Sequence, residues 1–596
     1  MKAGFLDASA APTASTSEAL EAQLESVIKE AASLRLREAP EEQPYVHRYE
    51  ERELLQKLST QAAANAAAAD DAERARAAVV GGVADGLLGQ NFMDTEEPGS
   101  ARPRLEAAVA ALDGAAGEEV AWIDALNHLG VLEANNGEHE KALALLHRAE
   151  AAREAAAGAG NNTADAQRLD DAQTLTTFYL AQVCGALGRS HEAAAYCHAT
   201  MQRQLARRGV GGGGEHAFVA LEWAKNAASI ATYYAGVHRY DVAEHCLRAA
   251  AAVLALDRTR PPPAAAAERT YLTGNGEAEA AAPAPAPAPA PASELSEADQ
   301  EAAASLDIAF VQLWLALLKR GWQLRVAAAG GDAAPAAEGK PLAESPSLRF
   351  SELKVAAPHK ACVSPATEVA SFDGAREVYR LGAAHAERAK KHYILDGFVT
   401  DHFAVLNLES SLYAALSAWE EDGARRMAML KRRQALLLPA VEQLNAKVYQ
   451  QIVRQTRFDL GTIASDMVEL KAMIISSDPN EIRRAKKTQT QLAPLVDGVA
   501  HAYAAFFTTF LDANGVMPTK VDEGSDEAFI TAHFHVARAR GKLPTVDSLK
   551  ESLKEYEFIA AYLKAHPIAA LAGEAQICDE MIELLPRRIA GIAAGR

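Results

Sequence analysis

Apolar residues along this chain recur with the spacing of a helix face. In Glu551-Ser552-Leu553-Lys554-Glu555-Tyr556-Glu557-Phe558-Ile559 the apolar side chains at 553, 556 and 559 fall on one side of a helix. No window of similar length alternates apolar and polar residues as a half-buried strand does. The strongest apolar run, Ile308 to Leu318, is too short to cross a bilayer and reads as a buried helix. The pattern predicts an all-α chain.

Three stretches break the pattern. Residues 206–215 carry Arg207, Arg208 and the glycines at 211–214; residues 257–300 carry Pro261 to Pro263 and an Ala-Pro alternation through 292; residues 326–347 are rich in Ala, Gly and Pro. Proline fixes φ and lacks an amide donor, so the Ala-Pro run is expected to be extended and solvated. These breaks give the expected organisation: a disordered N-terminus at 1–20, a helical region at 21–256, a linker at 257–300, a linker helix at 301–325, a flexible loop at 326–372 and a second helical region at 373–596.

A repeat lies inside the first helical region. The tetratricopeptide repeat is a helix pair of about 34 residues, with small residues where the two helices touch and larger apolar residues around them. Three segments fit one phase of it. The first has Leu129 and Gly130 at repeat positions 7 and 8, Gly137 at the turn, Ala142 at 20 and Leu146 at 24. The second has Leu180, Ala181, Gly188, Ala193 and Cys197 in the matching places. The third has Ile230, Ala231, Ala243 and Leu247 there, with Tyr234 at position 11. Farther on, Leu381-Gly382 and Leu460-Gly461 each offer half a match. Such pairs stack into a right-handed, TPR-like solenoid of antiparallel helix pairs, each buried against its neighbours. The first helix of each pair lines the concave face through positions 2, 5, 6 and 9. Those positions are Leu175, Phe178, Tyr179 and Gln182 in the second repeat, and Lys225, Ala228, Ser229 and Thr232 in the third. Tyrosine combines apolar area with a hydrogen-bonding tip, which suits Tyr179 to anchor a partner.

Composition sharpens this picture. Hydrophobic residues make up 49% of 596 residues, enough for an extensive core, and the abundant alanine favours helix. The net charge of −19 argues against nucleic acid, because phosphate-backbone binding needs a basic footprint, and it suits a basic partner. The five cysteines are widely spaced, with no CxxC, which points away from a disulfide framework or structural zinc. Met1 to Asp7 lack the apolar core of a secretory signal.

The chain is also poor in chemistry. It has no Gly-x-Ser-x-Gly elbow, no His-Glu-x-x-His and no phosphate loop, since the glycines at 209–214 lack a following Gly-Lys-Ser/Thr. His533 and His535 are two residues apart, which on a helix points them to different sides and argues against joint metal ligation. No catalytic, cofactor or metal residue is assigned. The basic run Arg425-Arg426 and Lys431-Arg432-Arg433 could hold phosphate, serve as a nuclear-targeting patch or simply be a solvated helix face.

Several motifs carry a resemblance. Asp94-Thr95-Glu96-Glu97 precedes Asn127-His128-Leu129-Gly130; Tyr179-Leu180-Ala181-Gln182-Val183 and Tyr196-Cys197-His198 follow, then Glu222-Trp223-Ala224. Asp396-Gly397-Phe398-Val399-Thr400-Asp401-His402, Lys431-Arg432-Arg433, Val536-Ala537-Arg538 and Leu584-Leu585-Pro586 come later, in order. From about residue 90 to 588 the chain resembles the KIF-binding protein family. The resemblance implies two TPR-like halves joined by a linker helix, and a non-catalytic, cytoplasmic, cytoskeleton-associated protein. It implies a partner, the kinesin motor domain, whose microtubule-binding surface the family blocks. It implies no cofactor, nucleic acid, membrane insertion or small-molecule substrate. The implied motor contacts map to Tyr179, Gln182, Ser229 and Thr232, with Phe178 and Lys225 beside them. The family also carries a basic residue just ahead of the helix matching 308–318, where this chain has Ala304 or Ser305. The main alternative is a generic TPR scaffold for another cytoskeletal or organelle complex. A carboxylate clamp is disfavoured, because of the Lys, Asn and Arg residues that it needs only Lys225 is in place.

A circular dichroism spectrum should therefore show helix with negligible strand. Deleting residues 280–292 should leave the melting temperature nearly unchanged, because loop-closure cost varies only with the logarithm of length.

Overall fold

The computed structural model describes residues 16–594 except 38, 41, 69, 158–162, 209–217, 259–295, 331–345, 513 and 523. The described residues contain helices and no strand. The glycines at 209–214 and the Ala-Pro alternation lie outside them. The chain divides into two compact units, Met1–Phe218 and Val219–Arg596.

The first unit holds α1 (Thr16–Arg35), α2 (Val46–Ala68), α3 (Asp71–Asp94), α4 (Pro98–Leu112), α5 (Glu119–Asn135), α6 (His139–Ala157), α7 (Thr163–Ala186) and α8 (Ser190–Ala206). Helix starts are locally encoded. Asp70 caps α3 by accepting the Ala72 and Glu73 amides at 3.1 and 2.9 Å. Apolar stripes from successive helices meet in one core that includes Leu55, Leu58, Leu88, Leu105 and Leu126, all fully buried. Each such leucine contributes roughly 1.5–3 kcal/mol. At the α5–α6 crossing, a Cβ on Gly130 would stand 3.1 Å from Leu146 Cγ, so position 8 there has room for hydrogen alone without a shift.

The second unit opens with α9 (Ala220–Gly236) and α10 (Tyr240–Arg258), which pack against the long α11 (Glu297–Gly330). Two short helical turns, α12 (Lys360–Val363) and α13 (Pro365–Glu368), lead to α14 (Phe372–His392), laid along α11. Then follow α15 (Val399–Ser417), α16 (Gly423–Glu442), α17 (Gln450–Ser476), α18 (Glu481–Lys487), α19 (Ala493–Phe507), α20 (Asp526–Gly541), α21 (Val546–Ala565) and α22 (Ala572–Ala593). Buried aromatics knit the later helices: Phe506, Phe510 and Phe529 lie edge to face, with Phe510 5.1 Å from each of the other two. Helix α11 is long and apolar enough to cross a membrane by length and composition, and half of its most apolar window is already buried inside the protein.

One turn repeats through the chain. The pairs α5–α6, α7–α8 and α9–α10 are each joined by three residues, which forces the partners antiparallel. Gly137, Gly188 and His238 occupy the same place in these turns, with φ of 82°, 72° and 63°. The next residue's amide reaches back to the carbonyl of Glu133, Cys184 and Tyr234 at 2.9, 2.8 and 2.8 Å. This is the left-handed closure with a six-to-one bond that ends many helices. In the repeat frame all three residues are position 15, so the three turns fall at one place in the repeat.

Several expected boundaries shift. Helix α1 starts at Thr16, inside the stretch expected to be disordered, because Leu20, Leu24, Val27, Ala31 and Leu34 form a buried stripe. The linker helix runs from 297 to 330 rather than 301 to 325. The units part at 218/219 rather than at the Ala/Pro linker, because α9 and α10 pack on α11. Residues 346–372, expected as part of a flexible loop, form an ordered strap with Phe350, Cys362 and Val369 buried. Phe350 packs edge to face on Trp223 at 5.0 Å and stacks on His245 at 5.7 Å. The Phe350 amide donates to His245 Nε2 at 3.1 Å, and the His359 amide donates to the buried Glu244 carboxylate at 2.6 Å. Arg248 holds the strap from the other side through the Ala357 carbonyl at 2.9 Å.

That anchor is pH-sensitive. Burial, with Arg349 next, lowers the His245 pKa to about 4, against about 6.5 in an unfolded chain. Between those values the unfolded state binds the extra proton, so stability rises with pH and is lost as pH falls. Protonated Nε2 also cannot accept the Phe350 amide. The melting temperature should drop between about pH 6.5 and pH 4, by no more than roughly 3 kcal/mol of stability from this group, and exchange of the Phe350 amide should speed up. A His245→Asn variant should be less stable at pH 7 and lose much of this pH dependence. Unchanged Phe350 protection across that window would contradict the assignment.

Candidate functional site

The expected partner-binding residues occupy exposed faces of α7 and α9. In the first unit, Leu180 and Ala181 of α7 are buried, which turns the other side of the helix outward. Phe178 is 44% exposed, Gln182 is exposed and Tyr179 is half-buried. The Phe178 and Tyr179 rings meet edge to face at 5.4 Å, so the tyrosine is held in place while its neighbour stays open. Tyr179 also rests on the core formed by Leu146, Leu180 and Val183, which makes it part packing residue and part surface. Burial raises its pKa, and the Asp94 carboxylate raises it further, which keeps the hydroxyl protonated as a donor.

Asp94 belongs to a charged set ahead of the repeats. Arg48 lies 3.3 Å from Asp94 and 3.3 Å from the fully buried Glu51. Arg35 Nε donates to Glu51 at 2.8 Å. Arg52 pairs with Glu97 at 2.9 Å and donates to Asn91 at 3.0 Å. Burial raises the Asp94 pKa, with Arg48, Arg35 and His128 pulling the other way. His128 is position 6 of the first repeat, and its Nδ1 lies 2.7 Å from the Asp124 carbonyl. Asp124 is position 2, and burial raises its pKa too. Repeat counting missed Asp94 and Asp124, although Asp94 opens one of the motifs that carried the resemblance.

In the second unit, Ala224, Ala227, Ile230, Ala231 and Tyr234 are the buried stripe of α9. Lys225, Ser229 and Thr232 stand on its exposed side. Lys225 Nζ lies 3.0 Å from Glu222, but both side chains are more than 60% exposed, so the pair adds little. Thr232 Oγ1 donates back to the Ala228 carbonyl at 3.3 Å. Beside this face, α9 and α11 leave a cleft of 240 Å³ walled by Ala224, Ala228, Ala298 and Ala302, with Lys225 and Glu301 among its lining. Neither candidate for the basic position ahead of 308–318 supplies a cation. Ala304 is buried, and Ser305 Oγ is hydrogen-bonded to the Tyr393 hydroxyl at 2.7 Å.

The histidine pair splits as its spacing predicts. His533 Nδ1 lies 2.6 Å from Glu555 and its ring stacks on Phe507, while His535 Nδ1 lies 2.6 Å from the Tyr503 hydroxyl. One repeat position is corrected. Cys197, expected at the packed position 24, is exposed. Helix α8 is turned so that Tyr196 meets Leu180, Val183 and Cys184, and Ala194, His198, Met201 and Leu205 form its buried side. The larger tyrosine ring fills the space that the frame gave to the thiol.

Comparison with known proteins places this arrangement in context. A family model described as "KIF-1 binding protein C terminal" matches residues 221–592. A Gallus gallus protein named KIF-binding protein is 27% identical over 94% of this chain and 95% of its own length. A Danio rerio protein of that name is 29% identical over 84% of this chain and 81% of its own. A solved structure named "Kinesin binding protein (KBP)" shares the fold, with a TM-score of 0.58 at 23% identity, over 97% of this chain and 100% of that one.

The turned α8 face has a chemical consequence. Cys184, Cys246, Cys362 and Cys578 are buried, and burial raises each of their thiol pKa values, that of Cys578 to about 12. A maleimide added to the native protein should label Cys197 first, with the other four following only on unfolding. Native labelling of Cys184 ahead of Cys197 would restore the original repeat phase for α8.

Proposed function

The chain belongs to the KIF-binding protein family, and from that premise we propose that it binds kinesin motor domains through the exposed faces of α7 and α9 and keeps them off microtubules, catalysing nothing itself. The single observation that carries this reading is the common frame of the first helices α7 and α9, with Leu180 and Ala181, and Ile230 and Ala231, buried at its positions 7 and 8. That frame turns Tyr179 and Gln182 on α7, and Ser229 and Thr232 on α9, to the outside. Phe178 and Lys225 flank them. In a cytoplasmic, cytoskeleton-associated setting the expected ligand surface is basic, because a motor that walks on acidic tubulin must present positive charge to it. A protein of net charge −19 can compete for that surface, with steering that weakens as salt rises.

Residues three apart on a helix share a side, so Tyr179 and Gln182 can touch one ligand surface. The double variant Tyr179→Ala, Gln182→Ala should bind a purified motor domain more weakly by about ten- to several-hundred-fold, the range for truncating an anchoring tyrosine, with a melting temperature close to that of the parent. Ala181→Trp is the matching control: its side chain is buried, so overpacking should lower the melting temperature first. A double variant that melts early yet binds normally when folded would make Tyr179 a packing residue and sink the site. A parent protein that retains no motor domain in a pull-down, but does retain another cytoskeletal or organelle protein, would favour a generic scaffold instead.

A further inference from the structure

The basic run at 425–433 lies on α16, and only part of its charge is met by nearby carboxylates. Residues 423–441 of that helix include no acidic side chain, so none of its cations has a carboxylate one turn away on the same helix. Carboxylates near it are already committed. Asp422 accepts the Ala424 and Arg425 amides at 2.7 and 3.0 Å, and Glu420 lies 3.7 Å from Arg425. Glu409 is taken by Lys390 at 2.8 Å, and Asp466 faces Arg433 at 4.0 Å. Lys431 and Arg432 are exposed, and among the described residues neither has a carboxylate within 4 Å. Arg425 and Arg426 stand in the first turn of α16, where the helix dipole already adds positive potential.

Two tyrosines pair on the helices that precede α16. Tyr379 of α14 and Tyr413 of α15 pack with ring centroids 5.1 Å apart. Burial and the neighbouring Tyr413 raise the Tyr379 pKa, and the Arg432 charge pulls it down. Ala428 between the cations and Ala424 and Ala435 on either side of them are exposed, so the face is low and the charged heads are accessible.

We propose that this face of α16, with Arg425, Lys431 and Arg432 at its centre, is an interaction surface for an acidic polypeptide segment rich in Asp and Glu. Charge complementarity selects the occupant. Arg425 and Arg432 are separated by about 10 Å along the helix, the reach of roughly three extended residues, so a short acidic stretch can meet the cations together. A membrane fits less well, because the exposed apolar residues in and beside the run are alanines, which offer no side chain to anchor in lipid. A nucleic acid fits less well, because a long polyphosphate would meet a chain of net charge −19 beyond the patch. This surface is separate from the α7 and α9 faces, and its test does not depend on motor binding.

The experiment measures binding of a short fluorescent polyglutamate peptide to the full chain by anisotropy, with phosphatidylserine vesicles as a parallel arm. The charge-reversing variant is Lys431→Glu with Arg432→Glu. The control is Lys550→Glu with Lys554→Glu on α21, which changes net charge equally at two exposed positions. The parent should bind the peptide with an affinity that falls as salt rises, and should not sediment with vesicles. Reversal at 431 and 432 should weaken binding about tenfold or more, while the control stays within a factor of about two. Equal loss in both variants, no peptide binding by the parent, or vesicle binding in place of peptide binding would each overturn the proposal.

Discussion

The closeness of paired helices is the constraint on which the rest depends. Where two helices cross, one of them must present almost nothing. A Cβ on Gly130 would stand 3.1 Å from Leu146, on Gly382 2.9 Å from Leu412, and on Gly461 2.3 Å from Tyr503. Each crossing therefore fixes the rotation of a helix about its own axis. On α7 and α9 small residues take the corresponding place: Ala181 and Ala231 are buried, which leaves Gln182, Ser229 and Thr232 exposed and Tyr179 half-buried. The turns act on the same variable. A left-handed residue at an equivalent place in three turns sets where the second helix begins relative to the first, so crossing and turn specify one register twice.

Polar groups complete what the apolar crossings begin. In the second unit, Glu244 is fully buried and would be costly alone; it is matched by the His359 amide and by Arg248. His245 accepts the Phe350 amide and stacks on its ring. A segment with little secondary structure is thereby held against α9, α10 and α14. In the first unit the same logic surrounds Glu51, which is matched by Arg35 and Arg48 while Arg48 reaches on to Asp94. That chain of pairs ends at Asp94, whose charge is felt at the Tyr179 hydroxyl. The candidate face at Tyr179 and the charged network are thus linked electrostatically in that unit.

The sequence carried the helices well, because alanine-rich amphipathic stretches leave few alternatives. It carried the phase of the first and third pairs, where Leu146 and Leu247 are buried at the expected place. It misplaced Cys197, because a small apolar residue beside a tyrosine gives no hint of which one turns inward. The strap at 346–372 was illegible for a different reason: Phe350, Leu353 and Val369 are isolated apolar residues with no period, and their burial depends on distant partners. His238 was unread as a turn residue because histidine rarely takes positive φ. Candidate site positions on α7 and α9 followed from repeat arithmetic, whereas Asp94 and Asp124 did not, since their surroundings come from residues distant in sequence such as Arg48. The basic run on α16 was visible as composition, but its lack of compensating carboxylates is a property of the fold.

The central claim is that these outward faces hold a kinesin motor and compete with the microtubule for it. The most direct measurement is co-sedimentation of a purified kinesin motor domain with stabilised microtubules, titrated with the full chain at low and at moderate salt. The account predicts that the motor moves from pellet to supernatant as the chain is added, in a stable complex with it, and that more chain is needed at higher salt. A motor that stays in the pellet at saturating chain, or that carries the chain into the pellet with it, would contradict the account.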